Sequence, residues 1–172
     1  MTTVLVTGSI GGGKSTVCRI LELAGYPVYD CDARCKALYD TVPGLKEQIE
    51  KELEIPFAQL GRIFGNDALR EKLEAIVYPL LIKDIEAWKA SQDAQVAFIE
   101  SAVALEKPAF RSLWDKVLMV TAPLGQRLSR NPRTAERDAL QHFDDNLIDY
   151  TICNDSDLVS LHSKVDKFLE TL

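Results

Sequence analysis

The sequence predicts an α/β fold with a parallel sheet, and three observations support this prediction. An apolar stretch rich in β-branched residues, Thr3–Val6, runs directly into the glycine-rich segment GSIGGGKS at residues 8–15. A helical pattern begins at Lys14, and a second short strand ends at Asp30. The order strand, helix, strand is typical of a right-handed βαβ unit with parallel strands. Further strands are predicted at Val96–Ile99, Lys116–Val120 and Thr151–Cys153, which makes five.

Helical periodicity fills most of the remaining chain. The first helix is predicted to carry Val17, Ile20, Leu21 and Ala24 on one apolar face and to stop at Gly25. Residues 33–91 form a long helical stretch, with breaks predicted near Pro43-Gly44, Ile55-Pro56, Gly65-Asn66 and Tyr78-Pro79. We therefore predict one domain, with a core at about 1–32 and 94–172, a helical insertion at about 33–93, and a short arginine-bearing segment at about 127–143.

Composition and charge narrow the class of protein. The 172 residues are 47% hydrophobic and carry a formal net charge of −6, whereas binding nucleic acid by bulk electrostatics needs a basic surface. No apolar run approaches the ~20 residues of a membrane span, and no charged leader precedes the first strand. We expect a cytoplasmic protein that binds neither nucleic acid nor membrane, with its four cysteines reduced; the oligomeric state is left open.

The segment at residues 8–15 satisfies the spacing GxxxxGK[ST] through Gly8, Gly13, Lys14 and Ser15. Glycines permit positive φ, so that successive N–H groups can point at phosphate oxygens, and the helix that follows adds its positive N-terminal dipole. Lys14 is predicted to neutralise the β- and γ-phosphates and Ser15 to ligate Mg²⁺. The residues predicted to bind ATP are Gly8, Ser9, Ile10, Gly11, Gly12, Gly13, Lys14, Ser15, Thr16 and, on the base side, Asn154.

Two carboxylates, Asp30 and Asp32, follow the second strand at the sheet edge where α/β folds bind ligands. One of them can accept the proton of a substrate hydroxyl while its neighbour assists Mg²⁺ binding. Capping of the next helix by an aspartate is the alternative. Glu100 ends the third strand beside the phosphate loop and is a second candidate for a water-mediated contact with Mg²⁺.

The phosphate loop serves kinases, GTPase switches and mechanical ATPases, and the rest of the chain favours a kinase. A GTPase needs an NKxD sequence after a late strand, and none is present. A second ATPase domain does not fit in 172 residues. Two functions stay open as alternatives to the kinase activity considered below. One is that of another P-loop nucleoside or small-metabolite kinase, and the other is that of a nucleotide-binding module without turnover.

Several segments together resemble the dephospho-coenzyme A kinase family over nearly the whole chain. GSIGGGKSTV resembles that family's TGGIGSGKSTV, and YDCDARCK resembles its DADxxAR. RIFGNDALREKLEAIVYPLL resembles its helical segment ending in HPxI, and DKVLMVTAP resembles its D-x-V-x-V-V-x-A-P strand. The resemblance implies a P-loop kinase fold with a five-stranded parallel sheet, a helical acceptor-binding insertion and a short lid.

The resemblance also implies a reaction and roles for residues. ATP would phosphorylate the ribose 3′-hydroxyl of dephospho-coenzyme A, the last step of coenzyme A biosynthesis, with Mg²⁺ as cofactor. Asp32 would be the base, Asp30 would assist in metal binding or in holding the site, and the arginine-bearing helix with Arg127 and Arg130 would be the lid. Lys14, Ser15 and Glu100 keep the phosphate and metal roles predicted above from their positions. The acceptor would be bound by Asp30, Lys36, Arg62 and Tyr78.

Three features depart from the family pattern. Tyr78 replaces a histidine, so it can donate a hydrogen bond but carries no positive charge. Lys36 replaces an arginine and loses the bidentate fork. The lid is short, with its arginines at Arg127, Arg130, Arg133 and Arg137 and an interruption at Pro132. Guanidinium groups suit phosphate clamping, although a solvated helix face is the alternative for each of them.

Overall fold

A computed structural model describes residues 1–63, 65–131, 134 and 143–172. Its centre is a parallel sheet of five strands: β1 (Thr2–Thr7), β2 (Val28–Asp30), β3 (Val96–Glu100), β4 (Lys116–Thr121) and β5 (Tyr150–Cys153). The spatial order is β2-β3-β1-β4-β5, and every pairing is parallel. The predicted five-stranded parallel sheet is confirmed. Because β1 is central, the loop that follows it opens at the middle of the sheet edge where all the strands end.

The helices are α1 (Lys14–Leu23), α2 (Cys31–Thr41), α3 (Leu45–Leu53), α4 (Asp67–Ala90), α5 (Leu124–Arg130) and α6 (Leu158–Leu169). Short 3₁₀ segments occur at Phe57–Ile63, Ala104–Glu106, Pro108–Leu113 and Asp145–Leu147. None of the helices in the described part of the chain has the length and apolarity needed to cross a membrane.

The chain divides into two compact units. The first, Met1–Asp30 with Ser91–Leu172, contains the sheet, and the second, Cys31–Ala90, contains α2, α3 and α4. The core of the sheet unit joins the inner strand residues to the apolar faces of α1 and α6, including Phe98, Leu21 and Val165. Each such buried side chain contributes about 1.5–3 kcal/mol, so this core fixes where α1 begins relative to the strand ends.

The apolar face predicted for α1 is largely confirmed. Val17, Ile20 and Leu21 are buried, and Cys18 joins them. Ala24 is exposed, contrary to the prediction, because the helix has ended at Leu23 and the chain turns there. Gly25 takes a φ of 92° and its N–H bonds to the carbonyl of Glu22 at 2.9 Å, which closes the helix as predicted.

The helical unit corrects one prediction. The predicted break at Tyr78-Pro79 is wrong, because α4 runs unbroken from Asp67 to Ala90 with Pro79 inside it. An internal proline loses a backbone hydrogen bond and costs about 3 kcal/mol. Burial of Val77, Leu81 and Ile85, spaced four residues apart on one face, offsets that cost. The other three predicted breaks fall between helical segments, as expected.

A bidentate ion pair joins two helices of this unit. The Nε and Nη2 atoms of Arg34 on α2 donate to the two carboxylate oxygens of Asp84 on α4, at 2.9 and 2.8 Å. The arrangement holds the start of α2, which carries Asp32, against α4. Sequence reasoning assigned no role to either partner.

Candidate active site

The segment between β1 and α1 has the backbone of a phosphate loop. Positive φ angles occur at Gly8 (139°), Gly11 (75°) and Gly13 (101°). The loop turns on a hydrogen bond of 3.1 Å from the N–H of Gly12 to the carbonyl of Ser9. Gly13 is the N-cap of α1 and provides no side-chain cap, so the first-turn N–H groups and the helix dipole suit an anion.

Lys14 folds back over this loop. Its Nζ donates to the carbonyl oxygen of Gly8 at 2.7 Å and to that of Ser9 at 3.3 Å. The ammonium group is thereby held at the loop rather than extended from the helix. A phosphate cradled by the loop amides would meet this charge without a large movement of the lysine.

Gly13 and Asn154 are in close contact. A Cβ atom at Gly13 would lie 2.3 Å from the Asn154 Nδ2, and the φ of 101° separately disfavours any side chain. Asn154 is 8% exposed, and its Nδ2 donates to the carbonyl of Gly12 at 3.2 Å. Asn154 was predicted to contact the base. The contact seen in the structure is with the loop backbone, so Asn154 also has a structural role.

Ser15 and Glu100 are in contact at the first turn of α1. The Ser15 hydroxyl donates to the Glu100 Oε1 at 2.9 Å. Burial raises the pKa of Glu100, hydrogen bonds from Ser15 and Cys18 and the charge of Lys14 oppose that rise, and the Asp30 carboxylate reinforces it. Asp30 faces Glu100 across the β2–β3 pairing, and Glu100 faces Val6 at the end of β1. Adjacent strands lie about 4.8 Å apart, so two carboxylates and one hydroxyl line one edge.

Two arginines of α5 take different positions. Arg130 donates from Nη1 to the carbonyl of Gly11 at 2.9 Å and from Nη2 to the Gln126 Oε1 at 3.2 Å. Arg127 donates from Nε to the carbonyl of Ala122 at 3.0 Å. The Arg130 side chain therefore bonds to the phosphate loop. The Arg127 side chain bonds within the turn that leads into α5, although its backbone packs against Gly11 of the loop. Arg133, Arg137 and Pro132 lie outside the described residues.

A cleft of about 250 Å³ opens beside the loop. It is lined by residues that come together from four segments, among them Gly13, Thr16, Arg130, Asn154, Ser156 and Leu158. A phosphate-binding backbone lies at one end and polar and aliphatic side chains lie along the wall. The predicted ATP-binding residues Gly13, Thr16 and Asn154 are thus brought together with the predicted lid residue Arg130.

The remaining predicted site residues belong to the helical unit. Asp32 is exposed in the first turn of α2, and Lys36 is exposed one turn later. Arg62 is exposed and donates to the Gln59 Oε1 at 2.9 Å. Tyr78 shares a hydrogen bond with Glu74; burial, followed by the charge of Glu74, raises its pKa, so the phenol stays neutral.

Sequence reasoning missed Ser156 and Leu158 in the cleft wall and Gln126 beside Arg130. These residues belong to no motif in a single sequence. The signal available was their position after strand ends at the sheet edge that carries the phosphate loop: Gln126 follows β4, and Ser156 and Leu158 follow β5.

Comparison with known proteins identifies the family. The sequence model of the dephospho-CoA kinase family matches residues 2–148. A dephospho-CoA kinase from Porphyromonas gingivalis is 36% identical over 132 residues, covering 72% of this chain and 65% of that protein. One from Mesorhizobium japonicum is 31% identical over 187 residues, covering 97% of this chain and 94% of that protein.

Solved structures agree on the fold. A crystal structure from Thermus thermophilus matches with a TM-score of 0.82 at 24% identity, covering 99% of this chain and 97% of that one. Dephospho-CoA kinase from Campylobacter jejuni gives 0.66 at 19% identity, covering 98% and 95%, and shikimate kinase from Acinetobacter baumannii gives 0.55 at 16%, covering 99% and 92%. The phosphate loop, the parallel sheet and the sequence relatives together lead to one conclusion: this chain belongs to the dephospho-coenzyme A kinase family, P-loop kinases that use ATP in the last step of coenzyme A biosynthesis.

Proposed function

We propose that this chain transfers the γ-phosphoryl group of ATP to the ribose 3′-hydroxyl of dephospho-coenzyme A, with ATP bound by the sheet unit and Asp32 as general base. The observation that carries the proposal is the Ser15–Glu100 contact of 2.9 Å in the first turn of the helix that follows the phosphate loop. It brings a hydroxyl on the first turn of α1 and a carboxylate at the end of the neighbouring strand to the same point.

We assign the binding of the ATP phosphates to charged side chains and to the backbone N–H groups of the loop. The loop amides and the α1 dipole would hold the β- and γ-phosphates, and Lys14 would move its ammonium from the loop carbonyls to phosphate oxygens. Arg130, now on the Gly11 carbonyl, is close enough to the loop to change to a phosphate. The base would occupy the cleft beside Thr16 and Asn154.

The donor set fits Mg²⁺. This cation prefers oxygen ligands and is usually held by one or two carboxylates together with substrate phosphates and water. Ser15, Glu100 and Asp30 supply one hydroxyl and two carboxylates at a single sheet edge. When bound, the ion would neutralise charge on the phosphates during transfer. We assign Ser15, Asp30 and Glu100 as the residues that would hold it, partly through water.

The acceptor is assigned to the helical unit. Lys36 and Arg62 are exposed cations suited to the acceptor's phosphates, and Tyr78 is a neutral hydrogen-bonding phenol. Asp32 would accept the proton of the 3′-hydroxyl as its oxygen attacks phosphorus, and ADP would leave. Because the reaction involves no covalent enzyme intermediate, positioning and charge neutralisation would supply most of the rate.

The test is a direct assay. Purified protein incubated with ATP, Mg²⁺ and dephospho-coenzyme A should form coenzyme A and ADP in equal amounts, separated by liquid chromatography. Lys14→Met should reduce turnover at least ~10²-fold, as expected when a charge that stabilises the transition state is lost. Lys51→Met, the same change at an exposed site on α3, should not alter it.

Two results would overturn the proposal. ADP formation only with a different hydroxyl acceptor would assign the chain to another P-loop kinase activity. Tight binding of ATP without turnover of any acceptor would indicate a nucleotide-binding module. Omitting Mg²⁺ tests the metal assignment separately, since activity that persists in a chelator would remove Ser15, Asp30 and Glu100 from that role.

A further inference from the structure

Hydrogen bonds and two peptide links form a closed ring that includes two residues of the cleft wall, Arg130 and Asn154. Arg130 connects the Gly11 carbonyl to the Gln126 side chain, and the Gln126 Nε2 donates to the carbonyl of Asp155 at 3.2 Å. The next residue back along the chain, Asn154, returns to the loop through the Gly12 carbonyl at 3.2 Å. The ring makes the position of segment 153–155 a determinant of cleft shape.

One side chain outside the ring holds this segment on both sides of Asn154. The Lys164 Nζ donates to the carbonyl of Cys153 at 2.7 Å and to the Asp155 Oδ1 at 2.6 Å. Its side chain is 35% exposed, and it projects from α6 toward the helix N-terminus, the direction that helical side chains favour. The neighbouring residues Leu161 and Val165 are buried, so the helix that carries Lys164 is fixed by the core.

We propose that Lys164 is a positioning residue that sets the wall of the ATP cleft by holding the segment on either side of Asn154. This inference rests on the proposed binding of ATP in the cleft. Lys164 acts through Asn154 and Asp155 and has no assigned contact with the nucleotide. Its two contacts start from a helix fixed by the core, whereas Gln126 holds the same segment from the short α5.

The variants separate positioning from general stability. Lys164→Met removes both donated bonds and keeps the aliphatic stem. Lys164→Arg keeps a cation able to reach a carbonyl and a carboxylate. Asp155→Asn weakens only the bond from Lys164 to the residue 155 side chain and leaves the bond to the Cys153 carbonyl. Lys167→Met, a charge-matched change at an exposed residue of the same helix, is the control.

The readout is binding of a non-hydrolysable ATP analogue by titration calorimetry, which needs no acceptor and no turnover. Loss of a charge-assisted contact of this kind is expected to weaken the analogue by about 3- to 10-fold in Lys164→Met, with partial recovery in Lys164→Arg and no change in Lys167→Met. In turnover assays the KM for ATP should rise by the same factor, while kcat and the KM for dephospho-coenzyme A stay constant.

Unchanged analogue affinity in Lys164→Met would overturn the inference, whether or not its melting temperature falls. An equal loss in Lys167→Met would also overturn it, because charge on α6 rather than the two bonds would then be responsible. If the wild-type protein binds the analogue but does not phosphorylate dephospho-coenzyme A, the proposed function fails while a selective effect of Lys164→Met still supports the inference.

Discussion

Replacing Gly13 by alanine tests the link between the phosphate loop and the last strand. The added Cβ would lie 2.3 Å from the Asn154 Nδ2, a distance that requires the amide to move. Asn154 is 8% exposed, so its side chain would leave the Gly12 carbonyl without finding full solvation elsewhere. The lost hydrogen bond costs about 0.5–1.5 kcal/mol, and the positive φ of alanine adds about 1–2 kcal/mol. We expect Gly13→Ala to lower the free energy of unfolding by about 2–3 kcal/mol.

Gly25→Ala is the matched control. Gly25 also has a positive φ, 92°, but an added Cβ meets nothing within 4 Å. It should therefore cost only the backbone strain of about 1–2 kcal/mol. The difference between the two variants, about 1 kcal/mol, isolates the contact with Asn154.

Urea denaturation followed by fluorescence provides both free energies, and binding of an ATP analogue provides the functional readout. Gly13→Ala should weaken the analogue, because the loop loses the contact that fixes its carbonyl, whereas Gly25→Ala should bind it normally. Equal destabilisation of the two variants would refute the reasoning, since it would mean that the Asn154 side chain can move away from the added Cβ without lowering the free energy of unfolding.

Three further predictions concern catalysis, ionisation and the helical unit. Asp32→Asn should leave ATP affinity nearly intact and reduce kcat by ~10²–10⁴, the range for a lost general base; unchanged kcat would exclude Asp32 from that role. Burial holds the pKa of Glu100 above its ordinary value, so its contribution to stability is full below the unfolded pKa and is lost as pH rises through the folded pKa. Glu100→Gln should therefore gain stability relative to wild type as pH rises from the ordinary pKa of a glutamate, about 4.3, through the raised folded pKa, and it should require more Mg²⁺ for activity. A stability difference that does not change with pH would contradict the assigned shift. Pro79→Ala should stabilise the protein by about 1–2 kcal/mol, because alanine restores a helical N–H inside α4; a lower melting temperature would show that the proline is needed where it stands.

The strands were predictable because their signals are local. Val96–Ile99 and Lys116–Val120 are short apolar runs bounded by polar residues, and the structure places strands there with ends within one residue. The loop was equally clear, since its spacing depends on the backbone path rather than on distant contacts. Periodicity predicted the helical insertion, and the family resemblance added its expected role in binding the acceptor.

What sequence could not provide depends on contacts between distant segments. The hydrogen bond from Arg130 to the Gly11 carbonyl joins residues 119 positions apart, and no sequence pattern at either residue predicts this contact. The helix break predicted at Pro79 was wrong for a related reason. Proline is a strong local signal for the end of a helix, but the apolar packing of α4 outweighs it. Asn154 was identified from its place after the last strand, but its contact with the loop required coordinates.

The strand order has a consequence for synthesis of the chain. Among the described residues, β1 pairs with β3 and β4, and β2 pairs with β3, so the first two strands have no partner in each other. About 70 residues separate Asp30 from Glu100. At roughly 5–20 residues per second, synthesis of those 70 residues takes about 4–14 s, so β2 stays unpaired for at least that time and β1, which is completed earlier, stays unpaired for longer. Through that interval β1 is an apolar segment without a strand partner, which makes the nascent chain prone to aggregation until β3 has been made.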